Sequence, residues 1–228
     1  MPHASTLLAG RTIPPTQPPT SVRAQLLATE HWGLLAARST AQSEVLTRIT
    51  IFVTLFSAGL VSIALIGNAT DFDGMFGPSA IAVLAIVVII GQLTQVRVIN
   101  VGTEDLMYVL AMNRMRAAYV DLDPGVEPYF MASTHDDEQG STRTYDFFGT
   151  RSTASHLMGS SMVLIIVVNA ILLGLLASAI SLTAGAPAWV TFVIGGVVAV
   201  VFCVASAVAG QRGYMRHWRE YRPMNPTP

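Results

Sequence analysis

MGSSMVLIIVVNAILLGLLASAISL, Met158 to Leu182, carries no Asp, Glu, Arg or His. A helix rises 1.5 Å per residue, so about 20 apolar residues cover the roughly 30 Å of hydrocarbon in a bilayer. This stretch is long enough to cross. Outward from it, the uncharged connection Thr183 to Pro187 leads into AWVTFVIGGVVAVVFCVASAVAG, Ala188 to Gly210. Upstream lie two more runs of the same kind: ITIFVTLFSAGLVSIALIG, Ile49 to Gly67, and SAIAVLAIVVIIGQLTQ, Ser79 to Gln95. The four runs predict an all-α polytopic membrane protein with four transmembrane helices and a small cytoplasmic helical layer. Residues 1–20 have no apolar core of the length a signal peptide needs, so no cleavable signal peptide is expected ahead of the first span.

Composition agrees. Charged residues are 12% of the 228, half the roughly 25% of a soluble domain, and hydrophobic residues are 52%. The mean hydropathy is +0.53. A disordered chain, a disulfide scaffold and a basic nucleic-acid binder are set aside. The lone Cys203 lies in an apolar run and reads as a small hydrophobe.

Arginine placement orients the spans. All 13 basic residues are Arg, and none falls in the loops Asn68–Pro78 or Thr183–Pro187. They lie before the first span, between the second and third, and after the fourth. Both termini and the middle segment are therefore expected in the cytoplasm of a bacterial plasma (inner) membrane protein.

The polar segments divide as follows. Residues 1–20, with Pro14, Pro15, Pro18 and Pro19, read as a disordered tail. Residues 21–48 read as an amphipathic helix, either on the membrane or a partner or packed on this chain's own middle segment. Residues 49–95 form transmembrane hairpin one. Residues 96–157 form a cytoplasmic segment: Thr103 caps a helix that ends near Asp121, Pro124 begins a turn, and Thr134 to Tyr145 is a mobile loop. Residues 158–210 form hairpin two, and 211–228 a basic-aromatic tail. Trp32, Tyr129 and Phe130 are the expected contacts holding the cytoplasmic layer together.

Chemistry is sparse. His135-Asp136-Asp137-Glu138 has metal-ligand residue types, with His156 some twenty residues on, but adjacent side chains rarely share one ion, so a solvated loop is expected. Asp121, Asp123 and Glu127 read the same way. No nucleophile elbow, phosphate-binding glycine loop or paired Cys motif occurs. The spans hold no ionisable side chain of the kind that couples transport. No catalytic, cofactor or metal site is therefore expected. Asn169 is expected to bond a neighbouring helix. Thr54, Ser57 and Ser62 are either pore-lining or ordinary helix-contact residues.

Two features point to contacts. Gly195, Ala199, Cys203 and Ala207 repeat every four residues in span four, and Gly174 and Ser178 do so in span three. Such smooth ridges let helices approach closely in lipid, within one chain or between copies. After Gly210, the arginines Arg212, Arg216, Arg219 and Arg222 stand among Trp218 and Tyr221. They are expected to share a helix face and anchor the tail to anionic headgroups.

Thr29 to Leu65 (TEHWGLLAARS onward), Met112 to Phe130 (MNRMRAAYVDLDPGVEPYF) and the following His135-Asp136-Asp137 together resemble a family of uncharacterised actinobacterial four-span membrane proteins. The resemblance covers about 100 residues ahead of span three. It implies the topology and no particular chemistry. The layout is also similar to the two-span SLATT-type membrane domains, proposed pore-forming effectors, from which the two extra spans depart. The expected function is that of a non-enzymatic membrane protein acting through helix contacts, as an oligomer or an accessory subunit. The alternative is an oligomeric ion channel or pore-forming effector. Expected partners are the anionic bilayer and either itself or another membrane protein, with no nucleic acid.

Overall fold

The computed structural model describes residues 20–147, 149 and 160–228. The tail expected over residues 1–20 falls outside the described residues apart from Thr20, and so does His156. The elements are α1 (Thr20–Ala69), α2 (Phe76–Leu122), a 3-10 turn (Pro124–Tyr129), α3 (Glu138–Tyr145), α4 (Ser161–Thr183) and α5 (Ala188–Glu220). No strand occurs among the described residues. Four of the helices, α1, α2, α4 and α5, are long and apolar enough to cross a membrane. The chain is an all-α multi-pass membrane protein.

The segments expected to be separate helices at 21–48 and after Thr103 are continuous with spans one and two. α1 runs for 50 residues and α2 for 47. At 1.5 Å per residue these are rods of about 75 and 70 Å, so each extends some 40 Å beyond a 30 Å hydrocarbon layer. Loss of apolarity at Arg48 and at Arg97 bounds the two spans, but good helix formers lie beyond and no proline interrupts them. Thr103 therefore sits inside α2 and caps nothing.

Ion pairs brace the two rods where they leave the apolar zone. Arg38 grips Asp105 with Nε and Nη2 at 2.6 and 3.1 Å. Gln42 Nε2 adds a bond to Asp105 at 2.8 Å, as does the Tyr145 hydroxyl from α3, also at 2.8 Å. Arg97 donates to Glu44 at 2.9 Å and to Glu104 at 2.7 Å. Burial alone would raise the Asp105 carboxyl, but the hydrogen bonds from Arg38 and Tyr145 override it and hold it below the usual range. The Tyr145 phenol moves the other way, raised by burial and by the Asp105 charge.

The spans stand in a row: α1 packs on α2, α2 on α4, and α4 on α5. Phe52 of α1, Leu84, Val87 and Val88 of α2, and Ile165 and Leu172 of α4 form a shared buried core. α5 adds nothing to that cluster and buries only Thr191 and Gly195. Its apolar residues, Phe192, Val197, Val200 and Val204 among them, face outward, as a lipid-facing helix requires.

Candidate functional site

The densest polar cluster lies on the arginine-rich side, around Asp136. The expected solvated loop is not found: the Asp136 side chain is 0% exposed. Its Oδ1 accepts the Asn225 amide at 2.7 Å, and its Oδ2 accepts the Met224 amide at 2.9 Å. Oδ2 also accepts the Tyr221 hydroxyl at 3.1 Å and Arg114 Nε. The Asp136 amide in turn donates to the Asn225 carbonyl at 3.2 Å. The loop and the C-terminal segment thus clasp one another.

Each clasping residue is placed by its element. Arg114 projects from α2, and its Nη2 donates to the Tyr221 hydroxyl at 2.9 Å. Its guanidinium also stands 5.5 Å from the Tyr221 ring centroid. Asp137 caps α3, accepting the Gly140 amide at 2.7 Å. The same carboxylate takes the Thr227 amide at 2.6 Å and the Thr227 hydroxyl at 2.9 Å. Gly140 is required here, because a Cβ would lie 2.1 Å from the His135 carbonyl oxygen. Beneath the loop, fully buried Asn113 donates to the His135 carbonyl at 2.8 Å. Its Oδ1 accepts Thr144 Oγ1 at 3.0 Å and Arg116 Nη1 at 2.7 Å. The segment expected to be mobile is therefore a helix, α3, seated on α2.

Burial would push the Asp136 carboxyl up. The Met224 and Asn225 amides and the Arg114 guanidinium reverse this and hold it below the usual carboxylate range. Burial and the neighbouring Asp136 charge push the Tyr221 phenol up to about 12. Four donors converge on this one carboxylate, three of them on Oδ2. It is built to hold the tail. Among the described residues, no three His, Cys, Asp or Glu side chains come together as a metal site requires.

A second cluster lies within the spans. Asn169 of α4, 0% exposed, donates Nδ2 to the Gly91 carbonyl at 2.9 Å and to Gln95 Oε1 at 2.8 Å. Gln95 Nε2 passes the connection to Ser206 of α5 at 3.3 Å. Asn169 Oδ1 has no conventional partner. It lies 2.1 Å from where a Cβ would stand on Gly91, so it rests against the Gly91 Cα, the arrangement of a Cα–H···O contact.

The small residues read from the sequence divide. Gly174, Ser178, Gly195 and Ala199 meet between α4 and α5: a Cβ on Gly174 would be 2.7 Å from the Gly195 carbonyl oxygen and 3.2 Å from the Ala199 Cβ. Ser178 Oγ donates to the Thr191 carbonyl at 3.1 Å. Further along the same ridge Cys203 is half-buried and Ala207 is exposed.

The arginine tail also divides. Arg212, Arg216 and Arg219 are exposed on α5, with Arg216 paired to Glu220 at 2.8 Å. The helix ends at Glu220, so Arg222 does not continue their face. Tyr221, expected at headgroup depth, instead turns its hydroxyl to Asp136 and Arg114. Trp218 packs edge-on against Tyr214 and Tyr221. The three expected layer contacts fare unequally. Trp32 is 72% exposed and Tyr129 82%, so neither packs the layer. Phe130 meets Tyr119 at 6.4 Å between ring centroids.

Sequence reasoning missed the Asp136 clasp. Its signals were present: Asp137 three residues before Gly140 is a capping arrangement, and Asn113 and Arg114 belong to the MNR stretch that precedes the His-Asp-Asp run. The tail residues that complete it lie some ninety positions on. No family model, curated relative or solved structure matches the chain.

Proposed function

We propose that this chain is a non-catalytic protein of a bacterial inner membrane, with both termini cytoplasmic, that works through helix contacts as an oligomer. The observation carrying this reading is the outer face of α1. Gly33, Ala36, Thr40, Ser43, Thr47, Thr50, Thr54 and Ser57 follow one another at alternating steps of three and four, and all are exposed. That is the seam spacing of a two-stranded coiled coil. The hydroxyls of Thr40, Thr47, Thr50, Thr54 and Ser57 each donate to the carbonyl four residues back, at 2.9–3.0 Å. Every position on the seam is therefore small, and these five hydroxyls are locally satisfied, which suits close backbone approach in lipid and above it. Two copies related by an axis along the membrane normal would pair α1 with α1 over its length.

Sizing of the gently solubilised full chain is the test. A dimer or larger species is expected, and Thr47→Phe with Thr54→Phe should reduce it to a monomer that keeps its helicity. A wild-type monomer with no co-purifying membrane protein contradicts the reading. The orientation rests on the arginine distribution. Reporter fusions should be externally active at Asp73 and internally active at the C-terminus.

The exposed Thr50, Thr54 and Ser57 hydroxyls favour one second reading, in which several α1 helices surround a pore. Ion flux through liposomes, abolished by Ser57→Leu, would support it. Anionic lipid is the proposed surface partner of Arg212, Arg216 and Arg219, and no nucleic-acid partner is proposed.

A further inference from the structure

Ala209 stands where two depressions beside α5 meet. On one side a shallow apolar groove follows span four past Val200, Val204 and Val208 and ends at Arg212. On the other, a cleft of about 640 Å³ separates α5 from α2. The cleft is framed at two levels. Below it, Gln95 reaches Ser206 at 3.3 Å. Above it, Arg114 and Asp136 hold Tyr221.

The surface exposed between those levels is mostly apolar. Ile99 and Leu106 line one side and Met162 another. The hydroxyls that line it have partners: Ser141 and Thr142 donate to the Glu138 carbonyl at 2.8 and 2.9 Å, Thr103 to the Ile99 carbonyl at 3.5 Å, Tyr145 to Asp105, and Tyr214 to the Glu138 carboxylate at 3.2 Å. On the α5 side Gly210 and Gly213 leave open space, with nothing within 4 Å of where a Cβ would stand. By residue position the cleft lies at the level where spans two and four end. Headgroups and water meet the protein there, and an apolar cleft offers water too few polar partners to fill it well.

Two polar groups stand at the edges of this apolar surface. Arg212 is exposed and has no carboxylate partner among the described residues. His217 lines the cleft, and its Nε2 is buried without a hydrogen-bond partner. A cation next to a lipid-facing groove complements a phosphate.

We propose that the cleft is a phospholipid site: one acyl chain lies in the groove along span four, the phosphate sits against Arg212, and the second chain turns at Ala209 into the cleft. The site depends on α2 and α5 crossing the membrane and is independent of any pairing through α1. His217 marks the polar end of the cleft, beside the tail clasp.

The test uses the full chain in nanodiscs of phosphatidylglycerol and phosphatidylcholine, doped with a phospholipid bearing a photoreactive group in one acyl chain. Adducts are mapped by mass spectrometry. Adducts are expected on the α2 wall at Ile99 and Leu106 and on Met162, in addition to the outer residues Val200 and Val204. Gly213→Leu and, separately, Gly210→Leu fill open space and should lower the α2 and Met162 adducts by about tenfold, leaving those at Val200 and Val204 unchanged. Arg212→Gln should lower both sets when phosphatidylglycerol is the labelled lipid. The proposal is overturned if α2-wall labelling does not exceed that of lipid-facing Ile86 and Ile89. It is equally overturned if neither glycine variant, shown to be folded by its thermal transition, changes the labelling, or if the cleft residues crosslink to a second copy of the chain instead.

Discussion

The two membrane hairpins are held together by different means. α1 and α2 share a continuous apolar core around Phe52 and Leu84, and beyond the membrane Arg38, Asp105, Glu44 and Arg97 carry the contact onward. α4 and α5 meet through Gly174 and Gly195, Gln95 of α2 reaches Ser206 of α5, and α5 then stands apart from α2 until Tyr221 and the tail reach Asp136. Inside a bilayer, lipid tails compete with every apolar side chain, so close backbone approach and hydrogen bonds must hold a helix. α5 uses one of these at each end. The first hairpin is carried beyond the membrane by ion pairs; α5 is held to α4 and to Gln95 below the cleft and by the Asp136 loop above it.

The largest effect should come from breaking the outer fastening. Asp136→Ala leaves two backbone amides and the one-third exposed Arg114 without their acceptor, at about 1–3 kcal/mol for each donor left unsatisfied. Thermal unfolding in detergent should show that loss, and trypsin should cut at Arg219. Asp105→Ala makes the comparison sharp. The extensions of α1 and α2 are also held by Arg97 with Glu44 and Glu104, so a smaller loss and no new tail cleavage are expected. Equal effects of the two substitutions would remove the distinction drawn between the hairpins.

Next in size is the inner fastening. Gly195→Leu drives a side chain into the Gly174 carbonyl and Ser178, where overpacking costs about 1–3 kcal/mol. Crosslinking between α4 and α5 should fall while crosslinking between α1 and α2 is unchanged. Asn169→Leu, which breaks the bridge to Gly91 and Gln95, should cost about 1 kcal/mol, the usual scale for a hydrogen bond between membrane helices.

The smallest effect is the response to pH. The Asp136 carboxyl is held below its ordinary value of 3.8, so its contribution is fully present above that value and is lost as pH falls through the lower, folded one. Tail protection from protease should therefore be flat through neutral pH and decline only in strong acid, and Asp136→Asn should flatten that decline.

The spans were legible because an uncharged apolar run has one stable home, and Met158–Leu182 foreshadows α4 closely. The expected breaks at Arg48 and Thr103 were not, because the end of a span and the end of a helix are separate events. Ala36, Arg38, Glu44 and their neighbours keep the helix going in water, and the pairs that stabilise it there join residues some sixty positions apart. Asp136 was the harder case. Read locally, His-Asp-Asp-Glu is a solvated loop; its burial is created by Tyr221, Met224 and Asn225, which no local pattern connects to it. The ridge in span four was visible as a spacing, but only the α4/α5 geometry shows that Gly195 and Ala199 are used within the chain while Ala207 is left outside. The sequence shows part of the seam on α1, as the hydroxyls Thr54 and Ser57, but its full extent emerges only because α1 is one helix with that face open.

The clasp between the C-terminal segment and the Asp136 loop is the claim on which the two-point fastening of α5 stands. Spin labels on Gln139→Cys and Pro226→Cys, in a Cys203→Ala background, measure it directly, since both positions are exposed and flank the bonded residues. A single narrow, short distance is predicted for the full chain in nanodiscs, widening to a broad distribution when Asp136→Ala is added. A broad distribution in the parent protein, or a narrow one indifferent to Asp136, would contradict it.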